Sequence, residues 1–141
     1  MRLEELAATC RQCIVDNHYW VNQWAWRPTT VPHIFGDIVE QVPRGSFDKS
    51  LPFADRRQQI LDAPLATSQY CYAHGSRCSI LQQSDVDMSG LPCQDNSRAN
   101  FKRRFFEGPN GTCYAVWGKK HSELKTPLII LENTPDAKAF N

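Results

Sequence analysis

Leu3, Leu6, Cys10, Cys13, Ile14 and Val21 recur at the spacing of one helix face. This spacing predicts an amphipathic helix from residue 3 to about residue 22. The run "WVNQWAWRPTTVP" breaks the pattern, with Pro28 and Pro32 as the stops. "HIFGDIVE" then predicts a short strand with Asp37 near its carboxyl end. Residues 42–79 have no sustained period. Pro43, Gly45, Pro52 and Pro64 punctuate them, and only "ADRRQQIL" has a helical pattern. A stretch this long inside a compact domain reads as an irregular insertion. "SDVDMSGLP" predicts a second strand, with Val86 and Met88 in alternation, and "NGTCYAVWGKKHSEL" a helix closed by Pro127. "PLIILENTP" is the clearest strand. Its unbroken apolar run Leu128 to Leu131 predicts burial on both faces.

Three strands separated by helical stretches imply βαβ units, an α/β chain with a mainly parallel sheet. In open parallel sheets, ligands bind beyond the carboxyl ends of the strands. Asp37, Cys93 and Glu132 each fall at or just past such an end. A polar residue there is commonly a turn former, and Asp37 alone fits that reading. A thiol and two carboxylates together point to a site.

Composition narrows the setting. The 141 residues suffice for one domain with a core, and 41% are apolar, which excludes general disorder. A net charge of +1 singles out no partner. No apolar run approaches the roughly 20 residues that a membrane span needs. "MRLEELAATC" lacks the pattern of a secretory signal, so the six cysteines are expected to be reduced.

A cysteine thiolate suits addition to an electron-poor conjugated carbon. A neighbouring carboxylic acid can protonate a ring nitrogen and make that carbon more electrophilic. The six position of a pyrimidine is such a carbon, and attack there makes the five position nucleophilic. Base modification is therefore compatible with these residues, although spacing alone does not select it.

"GLPCQDNS" followed by "LIILENTP" resembles the DNA (cytosine-5) methyltransferase family. Pro92, Cys93, Gln94 and Ser97 match its Pro-Cys-Gln nucleophile loop. Glu132 and Asn133 match its Glu-Asn-Val motif, with Thr134 in place of valine. "EGPNGTCYAVW" resembles in part the motif that leads into the connecting helix, and "HIFGDI" the strand whose Asp-Ile contacts the adenine of the methyl donor.

The resemblance implies a Rossmann-like catalytic domain, incomplete at both ends, spanning residues 1–141 with an insertion at about 42–79. It implies that Cys93 adds to the six position of a cytosine flipped out of the helix stack. It further implies that Glu132 holds or protonates the ring, that Asn133 orders the loop carrying Pro92, and that Asp37 and Ile38 touch S-adenosyl-L-methionine. Arg98, Lys102, Arg103 and Arg104 fall in the mobile loop that closes over DNA, where their charge suits phosphate contacts. Outside the family, such a run is commonly a solvated basic face.

Several family parts have no counterpart in the sequence: the glycine-rich donor loop, a clear ribose-binding acid, the Gln-x-Arg-x-Arg motif and the target recognition region. Asp16 is the only weak candidate for the acid, inside the first helix. The partners implied are DNA and either the missing N- and C-terminal parts or a second chain, and no membrane.

A different class remains open, a zinc-stabilised or nucleic-acid-binding module without catalysis. Cys10 and Cys13, with Cys71, His74 and Cys78, have spacings that zinc accepts. Cys10 and Cys13 also fall on the apolar helix face, which predicts buried packing and no metal. Cys78, Cys113 and Trp117 read as core residues, His121 as exposed, and Trp20, Trp24 and Trp26 as a cap on a core edge.

Overall fold

A computed structural model describes residues 3–26 and 29–134, with the side chains of 3–6 not described. Pro28 and the terminal "DAKAFN" lie outside the described residues. The chain divides into two compact units, one of Met1–Gly36 with Ser68–Cys78, the other of Asp37–Thr67 with Ser79–Asn141.

In the first unit, helix α1 spans Leu3–Asn22, as its periodicity predicts. None of its described side chains is buried. Cys10 and Cys13 are exposed, and Trp20 and Trp24 are 63% and 77% exposed, as is Trp26 beyond the helix. The packing expected of Cys10, Cys13 and the tryptophans is not what the fold gives them. Among the described residues of this unit, only Ile34, Cys71 and Gln69 are buried, so there is little core there for a helix face to cover. Strands β1 (Ser68–Cys71) and β2 (Ser76–Ser79) pair as a hairpin, and Gly75 at φ 61° turns the chain between them. Both strands fall inside the stretch expected to be irregular. Four-residue strands with polar residues at both faces carry too short a period to register in the sequence.

"HIFGDIVE" is not a strand. Phe35 forms an isolated antiparallel bridge with Cys71, and Ile38–Gln41 is a single 3-10 turn. The Asp37 carboxylate accepts from the Val39 amide at 2.9 Å and caps that turn. An aspartate able to satisfy a free helix-terminal amide favours a cap over an extended ladder.

The second unit holds both hydrophobic clusters. Helix α2 (Phe53–Asp62) packs on helix α3 (Gly111–Leu124) through Ile60, Val116, Ala115 and Val42. Two buried cations donate to backbone carbonyls, although Arg56 Nε itself has no partner among the described residues. Arg56 donates to Lys49 O and Phe106 O, and Lys119 Nζ donates to Leu61 O and pairs with Glu123. Such partners offset the cost of burying charge. Strands β3 (Val86–Gly90) and β4 (Leu128–Glu132) run parallel in the register Val86↔Leu128 to Gly90↔Glu132, with α3 as their crossover. Leu91, Tyr114 and Trp117 fix α3 to the sheet.

The chain is therefore a mixed helix and strand fold with two small sheets, one of them a parallel pair. The expected third parallel strand is absent among the described residues. β4 is exposed along its whole length, contrary to the burial its apolar run predicts. His121, expected at the surface, is 7% exposed. It packs edge-on to Trp117 and lies 3.5 Å from Asp87.

Candidate functional site

The parallel register brings the carboxyl ends of β3 and β4 level. Gly90 pairs with Glu132, whose Oε2 lies 3.7 Å from where a Cβ on Gly90 would stand, an ordinary van der Waals distance. Three residues past Gly90 stands Cys93, exposed, on a tight turn in which Cys93 O accepts from Asn96 N (2.9 Å) and Ser97 N (2.8 Å).

This turn is tied down on three sides. Asn133 Nδ2 donates to Leu91 O at 3.2 Å and to the Tyr114 hydroxyl at 2.6 Å. The Tyr114 hydroxyl donates to Pro92 O at 2.9 Å and accepts from Asn96 Nδ2 at 3.0 Å. Burial pushes the Tyr114 phenol up, although the Asn133 and Asn96 amides partly oppose this, so it keeps the proton it donates. On the third side, the Asp95 carboxylate accepts from Asn110 N at 2.9 Å at the start of α3, where the helix dipole favours negative charge. Gln94 Oε1 accepts from Asn110 Nδ2 at 3.2 Å, and Gln94 O accepts from Asn100 at 2.9 Å. Ser97 Oγ accepts from Ala99 N, a local turn contact.

Thus Pro92, Cys93, Gln94, Ser97, Glu132 and Asn133 gather at one end of the parallel pair. Sequence reasoning missed Tyr114 as the linking hydroxyl. Its place on α3 one turn into the helix was legible, but its partners belong to two distant segments, the loop of Pro92 and Asn96 and the residue after β4.

Arg98, Lys102, Arg103 and Arg104 are exposed on the stretch that follows, with Arg103 over the Phe105 ring at 5.3 Å. Phe101 among them is fully exposed.

Asp37 lines a cleft of about 350 Å³ with Lys49, Arg56, Asn110, Thr112 and Cys113. Asn110 is common to this cleft and to the Cys93 turn. Ile38 packs instead against both hydrophobic clusters. The Asp37 carboxylate caps the 3-10 turn, and the Ile38 side chain packs with the core. Burial pushes the Cys113 thiol up, and Asp37 adds to this.

A second constellation lies wholly in the first unit. Ligand atoms of His33, Cys71, His74 and Cys78 all fall within 4.8 Å of one another. Burial raises the Cys71 thiol, but donors from Ile34, His74 and His33 outweigh it and bring the thiol down to about 6. Burial pushes the Cys78 thiol up, and its neighbour Cys71 adds to the effect. Cys10 and Cys13 do not join this cluster. His33 was not foreseen, and its position after Pro32 in "VPHIF" offered no spacing signal. No known protein family, curated protein or solved structure matches the chain.

Proposed function

We propose that this chain is the base-activating part of a DNA (cytosine-5) methyltransferase with a Rossmann-like catalytic domain. Such an enzyme uses S-adenosyl-L-methionine to methylate cytosine through a covalent cysteine adduct. One observation carries the reading: Asn133, next to Glu132, is hydrogen-bonded to the loop that presents Cys93, at the carboxyl ends of two parallel strands.

The Cys93 thiolate adds to the six position of an extruded cytosine. Glu132 holds or protonates the ring at its three-position nitrogen, and a proton delivered there withdraws electrons from the carbon under attack. Asn133 and Tyr114 hold the backbone beneath Pro92, so the thiol is presented by a fixed turn. Misplacement by about 1 Å can cost on the order of 100-fold in rate. Arg98, Lys102, Arg103 and Arg104 supply phosphate contacts on the strand carrying the base. Asp37 and Ile38 reach at most the adenine end of the donor, whose other contacts come from residues outside this chain or from a second chain.

The test needs no donor. Addition of Cys93 at the six position makes the five position basic. It takes up a solvent proton, loses its original hydrogen, and elimination of the thiolate restores cytosine. DNA tritiated at cytosine C5 should therefore release tritium to water with the wild-type chain, and Cys93→Ser should abolish release. Release equal in the two proteins, or absent from both on single-stranded and duplex DNA, overturns the proposal. With labelled donor, the chain alone should transfer no methyl group to duplex DNA.

A further inference from the structure

We infer that His33, Cys71, His74 and Cys78 form a structural zinc site that holds the first unit together. A tetrahedral zinc with bonds of about 2.3 Å to sulfur and 2.0–2.1 Å to nitrogen sets its ligand atoms about 3.3–3.8 Å apart. His74 Nδ1 lies 3.2 Å from Cys71 Sγ, at the lower edge of that range, and 3.7 Å from Cys78 Sγ, within it, and all four ligand atoms fall within 4.8 Å of one another. The His33 and His74 rings lie beside each other, tilted by 52° with centroids 4.7 Å apart.

The local fold explains how the four residues meet. Cys71 ends β1, His74 sits in the turn beside Gly75, and Cys78 lies in β2, so one hairpin delivers three ligands. His33 arrives on the segment bridged to β1 through Phe35 and Cys71, where Tyr72 N also donates to Ile34 O at 2.8 Å. The Ile34 amide donates to Cys71 Sγ at 3.3 Å. Amide donors to sulfur are the outer contacts that orient and stabilise a metal thiolate.

Two thiolates and two neutral imidazoles select zinc by softness and geometry, and four protein ligands leave no open position for catalysis. The need for a metal is visible in the packing. This unit, roughly fifty residues, is of a size at which a metal or disulfide commonly supplements the core. Among its described residues the buried apolar ones are only Ile34 and Cys71, and all six cysteines are free thiols. On binding, zinc takes the place of the proton Cys78 holds, and of any proton still held by Cys71, and these go to solvent.

The full-length chain, expressed with zinc and purified under reducing conditions, should carry one zinc per molecule by elemental analysis. Cobalt added to the stripped chain should give tetrahedral visible bands and thiolate-to-metal charge transfer in the near ultraviolet. Cys71→Ser and Cys78→Ser should each lose the metal, whereas Cys10→Ser with Cys13→Ser should keep it. His33→Cys preserves a four-ligand set and should keep zinc with stronger charge transfer, which separates ligation from general misfolding. Zinc retained in Cys71→Ser with Cys78→Ser, or no cobalt charge transfer in the stripped wild type, overturns the inference. The base-activation proposal concerns the other unit and stands or falls separately.

Discussion

Asn133 donates to the Tyr114 hydroxyl at 2.6 Å, and through it the residue after β4 holds the loop after β3. Tyr114 spends its one proton on Pro92 O and accepts two amide protons, from Asn133 and Asn96. Removing its oxygen leaves two donors and a carbonyl short of a partner in a largely buried setting. Tyr114→Phe should cost about 1–3 kcal/mol in denaturant unfolding. Amide exchange over residues 91–97 should quicken by more than the global loss of stability accounts for. Unchanged exchange there would show that the loop is held without the phenol.

Two glycines of α3 should respond oppositely to alanine. A Cβ on Gly111 would collide with the backbone carbonyl of Phe106, which cannot yield without moving the chain. A Cβ on Gly118 meets nothing within 4 Å. Gly111→Ala should lower the melting temperature strongly and disturb the entry of α3, which anchors Asp95 and Gln94. Gly118→Ala should be neutral or raise stability by up to about 1 kcal/mol, from helix propensity alone. Thermal unfolding of the two variants beside the wild type decides this.

His121 supplies a pH dependence of stability. Burial depresses it below its ordinary value of 6.5, although Asp87 opposes that, and Lys120 nearby adds to the depression. The unfolded chain therefore binds more protons there than the folded one at mildly acidic pH. The stability linked to this residue is complete above about 6.5 and is lost as pH falls below that value through the depressed folded one. His121→Gln should show a shallower fall in unfolding free energy between pH 7.5 and 5 than the wild type. Parallel slopes would remove His121 as the cause.

Thiol labelling should separate the cysteines by burial. Cys10, Cys13 and Cys93 are exposed and should alkylate quickly. Cys113 is half-buried beside Asp37 and its thiol is pushed up, so it holds little thiolate near neutral pH and should lag. Brief alkylation followed by peptide mass mapping reads the order. Cys113 labelling ahead of Cys93 would contradict the placement of α3.

Local pattern determined those elements whose period outlasts its breaks. The helices at Leu3–Asn22 and Gly111–Leu124, the helical "ADRRQQIL" stretch, and the strands around Val86–Gly90 and Leu128–Glu132 were all legible from apolar spacing and prolines. So was the meeting of Cys93 with Glu132 and Asn133 at one sheet end, because two parallel strands joined by one helix bring their carboxyl ends to the same side. Tertiary structure alone decided the rest. Whether Leu128–Leu131 is buried depends on what covers the sheet, and hydrophobicity of the run states only what could be covered. Cys10 and Cys13 lie on an apolar helix face that finds little core beneath it, whereas His121 lies on a face that packs against Trp117 and Asp87. His33 joins Cys71, His74 and Cys78 only because a backbone bridge at Phe35 returns the chain to β1. Contacts between segments so far apart are set by packing and backbone hydrogen bonds, which have no period along the chain.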